Sequence, residues 1–272
     1  MRDIEAAIGA RLFDRTSDGM RATEVGRAVV EAAREIEDRL VVLADEIDAI
    51  KGVRKGALRL GVVSTAKYFA PAVMAAFMRD YPDIDVSLWV GNRAETIASL
   101  ANHAIEIALM GVPPRELAVR AHPIGEHPLV VIAFPGHALV GQRTISKERI
   151  AEERFLVRER GSGTRTSLEI YFGEVPGRVE DLGTEMNSNE TIKQAVMAGL
   201  GIAFISAHTV AQEVELGRLV ILDVEGMPIM RKWYSVARAD RAPSPSMVAF
   251  EAFLATKAAR FLPKVRMKSR GR

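Results

Sequence analysis

The 272-residue chain contains no cysteine, which excludes disulfides, zinc knuckles, iron–sulfur clusters and thiol catalysis together. It has no uninterrupted apolar run near the roughly 18 residues that a membrane helix requires. Its first residues, Met1 to Glu5, do not show the basic and then apolar order of a signal peptide. We therefore expect a cytoplasmic protein that has no contact with a membrane.

Signals of catalysis and of metal binding are equally scarce. No two histidines are spaced three or four residues apart, and no acidic cluster joins them, so we expect single surface or loop histidines. They are His103, His122, His127, His137 and His208. The chain has no Walker loop, no GxSxG nucleophile elbow and no other acid, base or nucleophile set. These absences predict a binding protein that is not an enzyme and holds no metal.

The composition is that of a folded protein, with 48% hydrophobic and 26% charged residues and with 37 Lys and Arg against 35 Asp and Glu. The length favours two or three domains over a single one. Residues 263–272 form a basic tail without an acidic residue. Such an end is typical of a solvated, disordered segment, and a specific contact with nucleic acid is the less favoured alternative.

Residues 24–55 have the apolar period of a coiled coil. Residues alternately four and three positions apart place one narrow apolar seam on a helix of about 42 Å, too long for a typical core helix. The seam consists of Val29, Ala33, Ile36, Leu40, Leu43, Ile47 and Ile50. Thr23 is suited to cap the start of this helix, and Gly52 to end it. Pairing with the same helix of a second subunit is favoured over packing on its own domain.

From Ala57 onward, short β-branched runs alternate with amphipathic helices, which predicts βαβ units and a mostly parallel sheet. Two rounds of this pattern predict two α/β lobes. Lobe I comprises residues 56–133 plus 237–262, and lobe II residues 134–236. Within them we expect a strand at 128–134, another at 179–183 and a helix at 207–216. Because open α/β sheets bind ligands beyond the carboxyl ends of their strands, the cleft between the lobes is the expected site.

Small polar residues follow three predicted strands, at the point where a helix begins. Ser64 and Thr65 form one such junction, Ser162 and Thr164 with Arg158 a second, and Asn189 belongs to a third. Free N–H groups at a helix N-terminus bind anions, but the same side chains also serve as helix caps. Three such junctions without a catalytic set favour reversible binding of a small polar ligand.

The N-terminal residues predict a helix that ends at Gly9, followed by a hairpin over 14–23. The string from Leu12 to Thr16, continued by Arg21 to Gly26, resembles the end of the winged helix-turn-helix of LysR-type transcriptional regulators. Further phrases resemble the subgroup that regulates Calvin-cycle (RuBisCO) operons. They are 90–93, 108–114, 158–165, 188–196 and 199–203.

The resemblance implies a homo-tetrameric, dimer-of-dimers transcription factor with an effector domain similar to type 2 periplasmic binding proteins. It also implies a sensed effector, such as a phosphorylated metabolite or NADPH, and no permanently bound cofactor. Ligand contacts from both lobes would favour one inter-lobe arrangement and thereby couple binding to subunit rotation. The residues expected to bind the effector are Ser64, Thr65, Asn92, Arg158, Ser162, Thr164 and Asn189.

Residues 1–23 would then be the C-terminal remnant of the DNA-binding domain, which lacks about two helices of the family pattern. Operator recognition therefore requires those helices, and a misplaced start codon is favoured over a truncated gene. Arg15, Thr16 and Arg21 would supply the remaining backbone contacts of the wing, although Asp18 departs from the family pattern and would repel phosphate. The alternatives are a truncated chain that modulates full-length regulators and a cytoplasmic solute-binding module.

Overall fold

The computed structural model describes residues 2–16, 19–50, 56–175 and 181–265. The chain divides into two compact units, Met1–Gly56 and Ala57–Arg272. Within the described ranges, no helix is both long and apolar enough to cross a membrane. The predicted tail at 263–272 falls mostly outside these ranges.

The first unit contains two helices and a hairpin. Its elements are α1 (Arg2–Ile8), β1 (Phe13–Thr16), β2 (Gly19–Ala22) and α2 (Glu24–Ile50). Gly9 ends α1 with a φ of +74°, a conformation that favours glycine. At the start of α2, the Gly26 N–H donates to Thr23 Oγ1 over 2.9 Å. The predicted end of α1, the hairpin and the cap by Thr23 are therefore confirmed, whereas Gly52 lies outside the described residues.

Helix α2 presents several members of the predicted apolar seam to solvent. Ile36 and Leu40 are 63% and 60% exposed, and Leu43 and Ile47 are 45% and 40% exposed. The side chain of Ile50 lies outside the part that the structure describes. An apolar row on the surface of one helix is the pattern that a second helix covers in a coiled coil. Pairing of two such helices stays a prediction.

The rest of the chain is an α/β structure. Its strands are β3 (Gly56–Val63), β4 (Ile84–Gly91), β5 (Ile107–Met110), β6 (Val119–Ala133), β7 (Phe155–Arg158), β8 (Thr184–Met186), β9 (Ile202–Ser206), β10 (Val220–Ile221) and β11 (Ile229–Arg238). Its helices are α3 (Ala70–Asp80), α4 (Arg93–Ala101), α5 (Lys147–Ala151), α6 (Gly163–Phe172), α7 (Asn189–Met197), α8 (Ala211–Glu215) and α9 (Pro245–Lys257). Short 3₁₀ turns occur at Ala66–Tyr68, Ala207–Thr209 and Ala258–Phe261.

One sheet runs through both lobes in the order β4-β3-β5-β11-β6-β9-β7-β8, with β10 beside β6. Strands β6 and β11 cross from one lobe to the other: β11 pairs with β5 of lobe I, and β6 pairs with β9 of lobe II. Both run antiparallel to these neighbours and to each other. The sheet is therefore mixed. The sequence-based prediction of a mostly parallel sheet is wrong. The two crossing strands connect the lobes.

Each lobe has its own apolar core. In lobe I, Phe77 of α3 meets Phe250 and Phe253 of α9 edge-on, with ring centroids 4.9 and 5.5 Å apart. In lobe II, α6 covers one face of the sheet and α7 covers the other. The side chains of 129–133 pack in lobe II, whereas Trp233 packs in lobe I. The packing therefore changes from one lobe to the other between Ile124 and Leu129 in β6 and between Ile229 and Trp233 in β11. The boundaries expected at 133/134 and 236/237 stay a prediction.

Three predicted elements differ from the structure. The strand expected at 128–134 begins at Val119, because its first half pairs with β11. A strand was expected at 179–183. The described residues of that range, 181–183, pair with no strand, and β8 starts at Thr184. Gly183 adopts a φ of +121°, and a Cβ there would lie 2.2 Å from the Phe155 carbonyl oxygen. The helix expected at 207–216 is interrupted at Val210, between a 3₁₀ turn and α8.

Candidate functional site

A partly open cavity lies between the two lobes, at the carboxyl ends of β3 and β7. Five of the seven residues predicted to bind an effector line this cavity. They are Ser64, Thr65, Arg158, Ser162 and Thr164. The two strand-to-helix junctions to which these residues belong lie on opposite walls of the same space, and their role in effector binding stays a prediction.

The junction before α6 has the geometry of an anion site. Ser162 occupies the N-cap position with an extended backbone, but its side chain makes no cap hydrogen bond. The first N–H groups of an α-helix have no partner within the helix. Ser162 and Thr164 are buried at 4% and 7% exposure, and both face the cavity. Buried hydroxyls and backbone N–H groups at one helix N-terminus are suited to bind an oxyanion.

Two glycines allow lobe I to approach this junction closely. Gly161 has a φ of +86°, and a Cβ there would lie 3.1 Å from Ala94 of α4. A Cβ on Gly163 would lie 3.2 Å from the Cδ of Arg93. The Ala94 N–H donates to the Gly161 carbonyl over 3.2 Å, so the backbones of the two lobes are hydrogen-bonded directly.

The junction after β3 supplies the opposite wall. Thr65 is the N-cap residue of the turn Ala66–Tyr68, and its side chain makes no cap hydrogen bond. Thr65 is 6% exposed, and it lines the cavity together with Ser64. Since Thr65 and Ser162 are not used as caps, the simpler explanation of these residues as cap residues fails at both junctions.

Arg158 connects the two walls. It is 3% exposed, and its Nη2 donates to the hydroxyl of Ser64 over 3.0 Å. Both Nε and Nη2 donate to the carboxylate of Glu159, each over 2.7 Å. This bidentate pair balances the charge of the arginine, so Arg158 stabilises the inter-lobe arrangement more than it supplies free positive charge.

The other two predicted residues do not line the cavity. Asn189 is fully buried; its Oδ1 accepts from Arg158 Nη1 over 2.6 Å, and its Nδ2 donates to the Ser64 carbonyl over 3.4 Å. Asn92 caps α4 through a hydrogen bond of 3.0 Å from the Glu95 N–H. In this structure Asn189 positions Arg158, and Asn92 begins the helix that carries Arg93.

Sequence reasoning missed four further polar residues of the cavity: Arg93, His127, Ser167 and Arg231. The expectation that every histidine is a surface or loop residue is wrong, because His127 and His208 are 5% and 7% exposed. The available signal was the alternation of His127 with Leu129 and Val131, which places the three side chains on one face of β6. The pairing of His127 with Arg231 joins residues far apart in the chain, and no local pattern indicates it.

The imidazole of His127 lies in a low-dielectric environment. Burial, the nearby His208 and the charge of Arg231 lower the pKa of His127 to about 3. Burial also lowers the pKa of His208 to about 4. Both rings are therefore neutral at pH 7, and each offers one N–H donor and one acceptor nitrogen.

A second inter-lobe contact lies beside the cavity. Lys67 Nζ is 2.7 Å from Glu190 Oε2, and the Tyr68 hydroxyl donates to the other carboxylate oxygen. Burial raises the pKa of Glu190, but the hydrogen bonds from Lys67 and Tyr68 outweigh it and lower this pKa to about 2. Burial and the Glu190 contact raise the pKa of Tyr68. Together with the Arg158–Ser64 hydrogen bond, this contact gives the lobes a second direct connection near the end of β3.

Metal chemistry has no support among the described residues, where no three His, Asp or Glu side chains are grouped to hold an ion. The described residues that line the cavity include three arginines and no carboxylate. A cavity with a few convergent polar groups is typical of a small-molecule site. Because Glu159 balances the charge of Arg158, the features that favour an anion are the helix N-terminus at Ser162 and the guanidinium of Arg231.

Comparisons of the sequence give one family. The family model of the LysR substrate-binding domain matches residues 51–259. The HTH-type transcriptional regulator CbbR of Rhizobium meliloti is 60% identical over 97% of this chain and 85% of its own length. The RuBisCO operon transcriptional regulator of Allochromatium vinosum is 44% identical over 96% of this chain and 86% of its own length.

Comparisons of the structure agree. The regulatory domain of Synechocystis CcmR, solved in complex with 2-PG, is 34% identical with a TM-score of 0.69, covering 75% of this chain and 98% of that domain. A Corynebacterium glutamicum OxyR mutant is 19% identical with a TM-score of 0.69, covering 100% of this chain and 88% of that one, which shows the fold alone. The predicted two-lobed, type 2 periplasmic-binding-protein-like fold is confirmed. The coiled coil stays a prediction.

Proposed function

This chain belongs to the LysR family of transcriptional regulators, and we propose that it controls carbon-fixation genes in response to a small phosphorylated carboxylic acid. The lining of the inter-lobe cavity carries the proposal: the N-terminus of α6 with Ser162 and Thr164 faces it, the guanidinium of Arg231 also lines it, and the described lining residues include no acid. Relatives named as CbbR and RuBisCO operon regulators support the gene class. The CcmR domain solved with 2-PG (2-phosphoglycolate) supports the effector class.

In this proposal the phosphate lies at the N-terminus of α6. The hydroxyls of Ser162 and Thr164 and the free N–H groups of the first turn donate to its oxygens. Ser64 and Thr65 contact the ligand from lobe I. Arg158 lies between the two walls. Asn92 acts through α4, which it caps, and Asn189 acts through Arg158, which it positions.

Coupling to DNA follows from contacts with both lobes. A ligand shifts a conformational equilibrium only as far as it binds one state better than the other. A phosphate held by α6 and by Thr65 stabilises the arrangement in which these groups converge. The strands β6 and β11 then transmit the lobe rotation to the neighbouring subunits of the oligomer.

The comparison with CcmR bears on the alternative effector, NADPH. The CcmR regulatory domain was solved with 2-PG, a small acid. We therefore favour a small acid over NADPH and expect no permanently bound cofactor.

The proposal for the first unit concerns self-association and DNA. The seam of α2 pairs with the same helix of a second subunit, and two such dimers form a tetramer. The wing hairpin, formed by β1 and β2, contacts the phosphate backbone of DNA through Arg15, Thr16 and Arg21. Arg15 and Arg21 are exposed on adjacent strands, and the side chain of Thr16 lies outside the described residues.

Isothermal titration calorimetry tests the effector site. Wild type should bind 2-phosphoglycolate, and Thr65→Ala and Thr164→Val should each weaken binding about 5- to 20-fold, equivalent to about 1–2 kcal/mol for a lost hydrogen bond to a charged group. Thr256→Ala, at an exposed site on α9, is the matched control and should bind as wild type does. Unchanged affinity in both cavity variants would reject the site, and binding of NADPH in place of the acid would reject the effector class.

A further inference from the structure

Two polar side chains at the base of the cavity have unused hydrogen-bonding groups. His127 of β6 and Arg231 of β11 are directly paired across the two crossing strands, and both line the cavity. Neither ring nitrogen of His127, nor Nε of Arg231, has a hydrogen-bond partner among the described residues. Buried polar groups are almost always hydrogen-bonded, because leaving one unpaired is costly. Here the two residues that carry the unpaired atoms line the space that a ligand would fill.

The surrounding residues fix the imidazole in place. The indole of Trp233 stacks on the His127 ring, with centroids 3.8 Å apart and planes inclined by 17°. Trp233 Nε1 in turn donates to His208 Nδ1 over 3.0 Å, which holds the indole. A Cβ on Gly111 would lie 2.9 Å from His127 Nδ1, so a larger residue at position 111 would displace the ring.

The chemistry of this pair differs from that of the α6 junction. His127 is neutral at pH 7 and offers one N–H donor, while Arg231 brings a guanidinium whose buried Nε is unpaired. No ion pair of Arg231 occurs in the part of the chain that the structure describes. A planar cation next to a neutral donor matches a carboxylate, which accepts from both.

We propose that His127 and Arg231 form a second subsite of the cavity, which binds the carboxylate of an effector whose phosphate lies at the N-terminus of α6. The inference rests on the proposed function and deepens it: the effector carries two anionic groups, one recognised by lobe II and the other by the strands that connect the lobes. The paired side chains then determine specificity, since a phosphate ester without a carboxylate reaches only the first subsite.

Two ligands separate the subsites. 2-Phosphoglycolate carries both groups, and ethyl phosphate lacks the carboxylate. Titration calorimetry of wild type should show at least a 10-fold preference for 2-phosphoglycolate. Arg231→Gln should reduce that preference to about unity and leave the affinity for ethyl phosphate within twofold. Arg231→Lys, which keeps the charge, should restore part of the preference.

Thr164→Val should weaken both ligands by the same factor and leave the preference intact. His127→Gln serves as a second variant and should also reduce the preference. Because His127 is buried, far-ultraviolet circular dichroism checks that each variant is folded. A preference unchanged in both the Arg231 and His127 variants overturns the second subsite and leaves the proposed function standing. Equal loss of both ligands in Arg231→Gln also overturns it, and a wild type that binds neither ligand refutes the proposed function as well.

Discussion

The guanidinium of Arg158 donates to the hydroxyl oxygen of Ser64 over 3.0 Å, and this bond joins the end of a lobe II strand to the end of a lobe I strand. The same guanidinium holds Asn189 and both carboxylate oxygens of Glu159. One buried side chain thus holds Ser64, Asn189 and Glu159 together. The cavity depends on Arg158 for its shape more than for its charge.

Replacement of Arg158 by alanine should destabilise the protein by about 2–4 kcal/mol, because it leaves the carboxylate of Glu159 and the buried amide of Asn189 without their partner. Urea denaturation followed by circular dichroism measures this difference. Arg143→Ala, at an exposed position, should change the free energy of unfolding by about 0.5 kcal/mol or less. An Arg158 variant as stable as the control would show that the network contributes nothing.

Stability should decline below neutral pH through the buried histidines. The pKa of His127 is about 3 and that of His208 is about 4 in the folded protein, against about 6.5 in the unfolded chain. As the pH falls from 6.5 towards 4, the unfolded chain takes up protons that the folded protein does not. The free energy of unfolding should therefore fall by up to about 1.4 kcal/mol per pH unit for each histidine.

Urea denaturation at pH 7.0, 6.0 and 5.0 in the wild type and in His127→Phe measures that slope. Phenylalanine can stack on Trp233 but does not titrate, so the variant should lose less stability on acidification than the wild type does. His122→Gln, at an exposed site, is the control and should keep the wild-type slope. Identical slopes in all three proteins would show that His127 is not held neutral.

The sequence indicated the residues that line the cavity better than it indicated the strand pairing of the sheet. Ser64, Thr65, Ser162 and Thr164 could be found because hydroxyls at a strand-to-helix junction form a local pattern. The first half of β6 was missed because Pro123, Gly125 and Pro128 disfavour a strand, and only pairing with β11, about a hundred residues later, extends it. His127 and Arg231 become neighbours through that same long-range pairing.

The seam of α2 predicts a measurable dimer. Leu40→Lys would place a charge in the seam of the proposed coiled coil, at a position that is 60% exposed in the single chain. Since full burial of a leucine contributes about 1.5–3 kcal/mol, the dimer dissociation constant should rise at least 10-fold. Sedimentation velocity measures it, with Glu31→Gln on the same helix as the control. An unchanged dissociation constant would favour a helix that packs within its own chain.

The wing hairpin predicts a salt-dependent contact with DNA. If Arg15 and Arg21 each neutralise one phosphate, the negative slope of log affinity against log salt should become shallower by about 0.9 for each arginine that is replaced by glutamine. Fluorescence anisotropy with a labelled duplex gives this slope between low and physiological salt. Arg143→Gln should leave it unchanged. A slope unaffected by loss of both hairpin arginines would place the contacts elsewhere.

A crystal structure of the chain grown with 2-phosphoglycolate tests the central claim most directly. The account predicts the ligand between the lobes, with phosphate oxygens within about 3.2 Å of Ser162 Oγ and the Thr164 backbone nitrogen, and with the carboxylate towards Arg231. Ligand density outside this cavity, or an empty cavity at a saturating concentration of 2-phosphoglycolate, would contradict it.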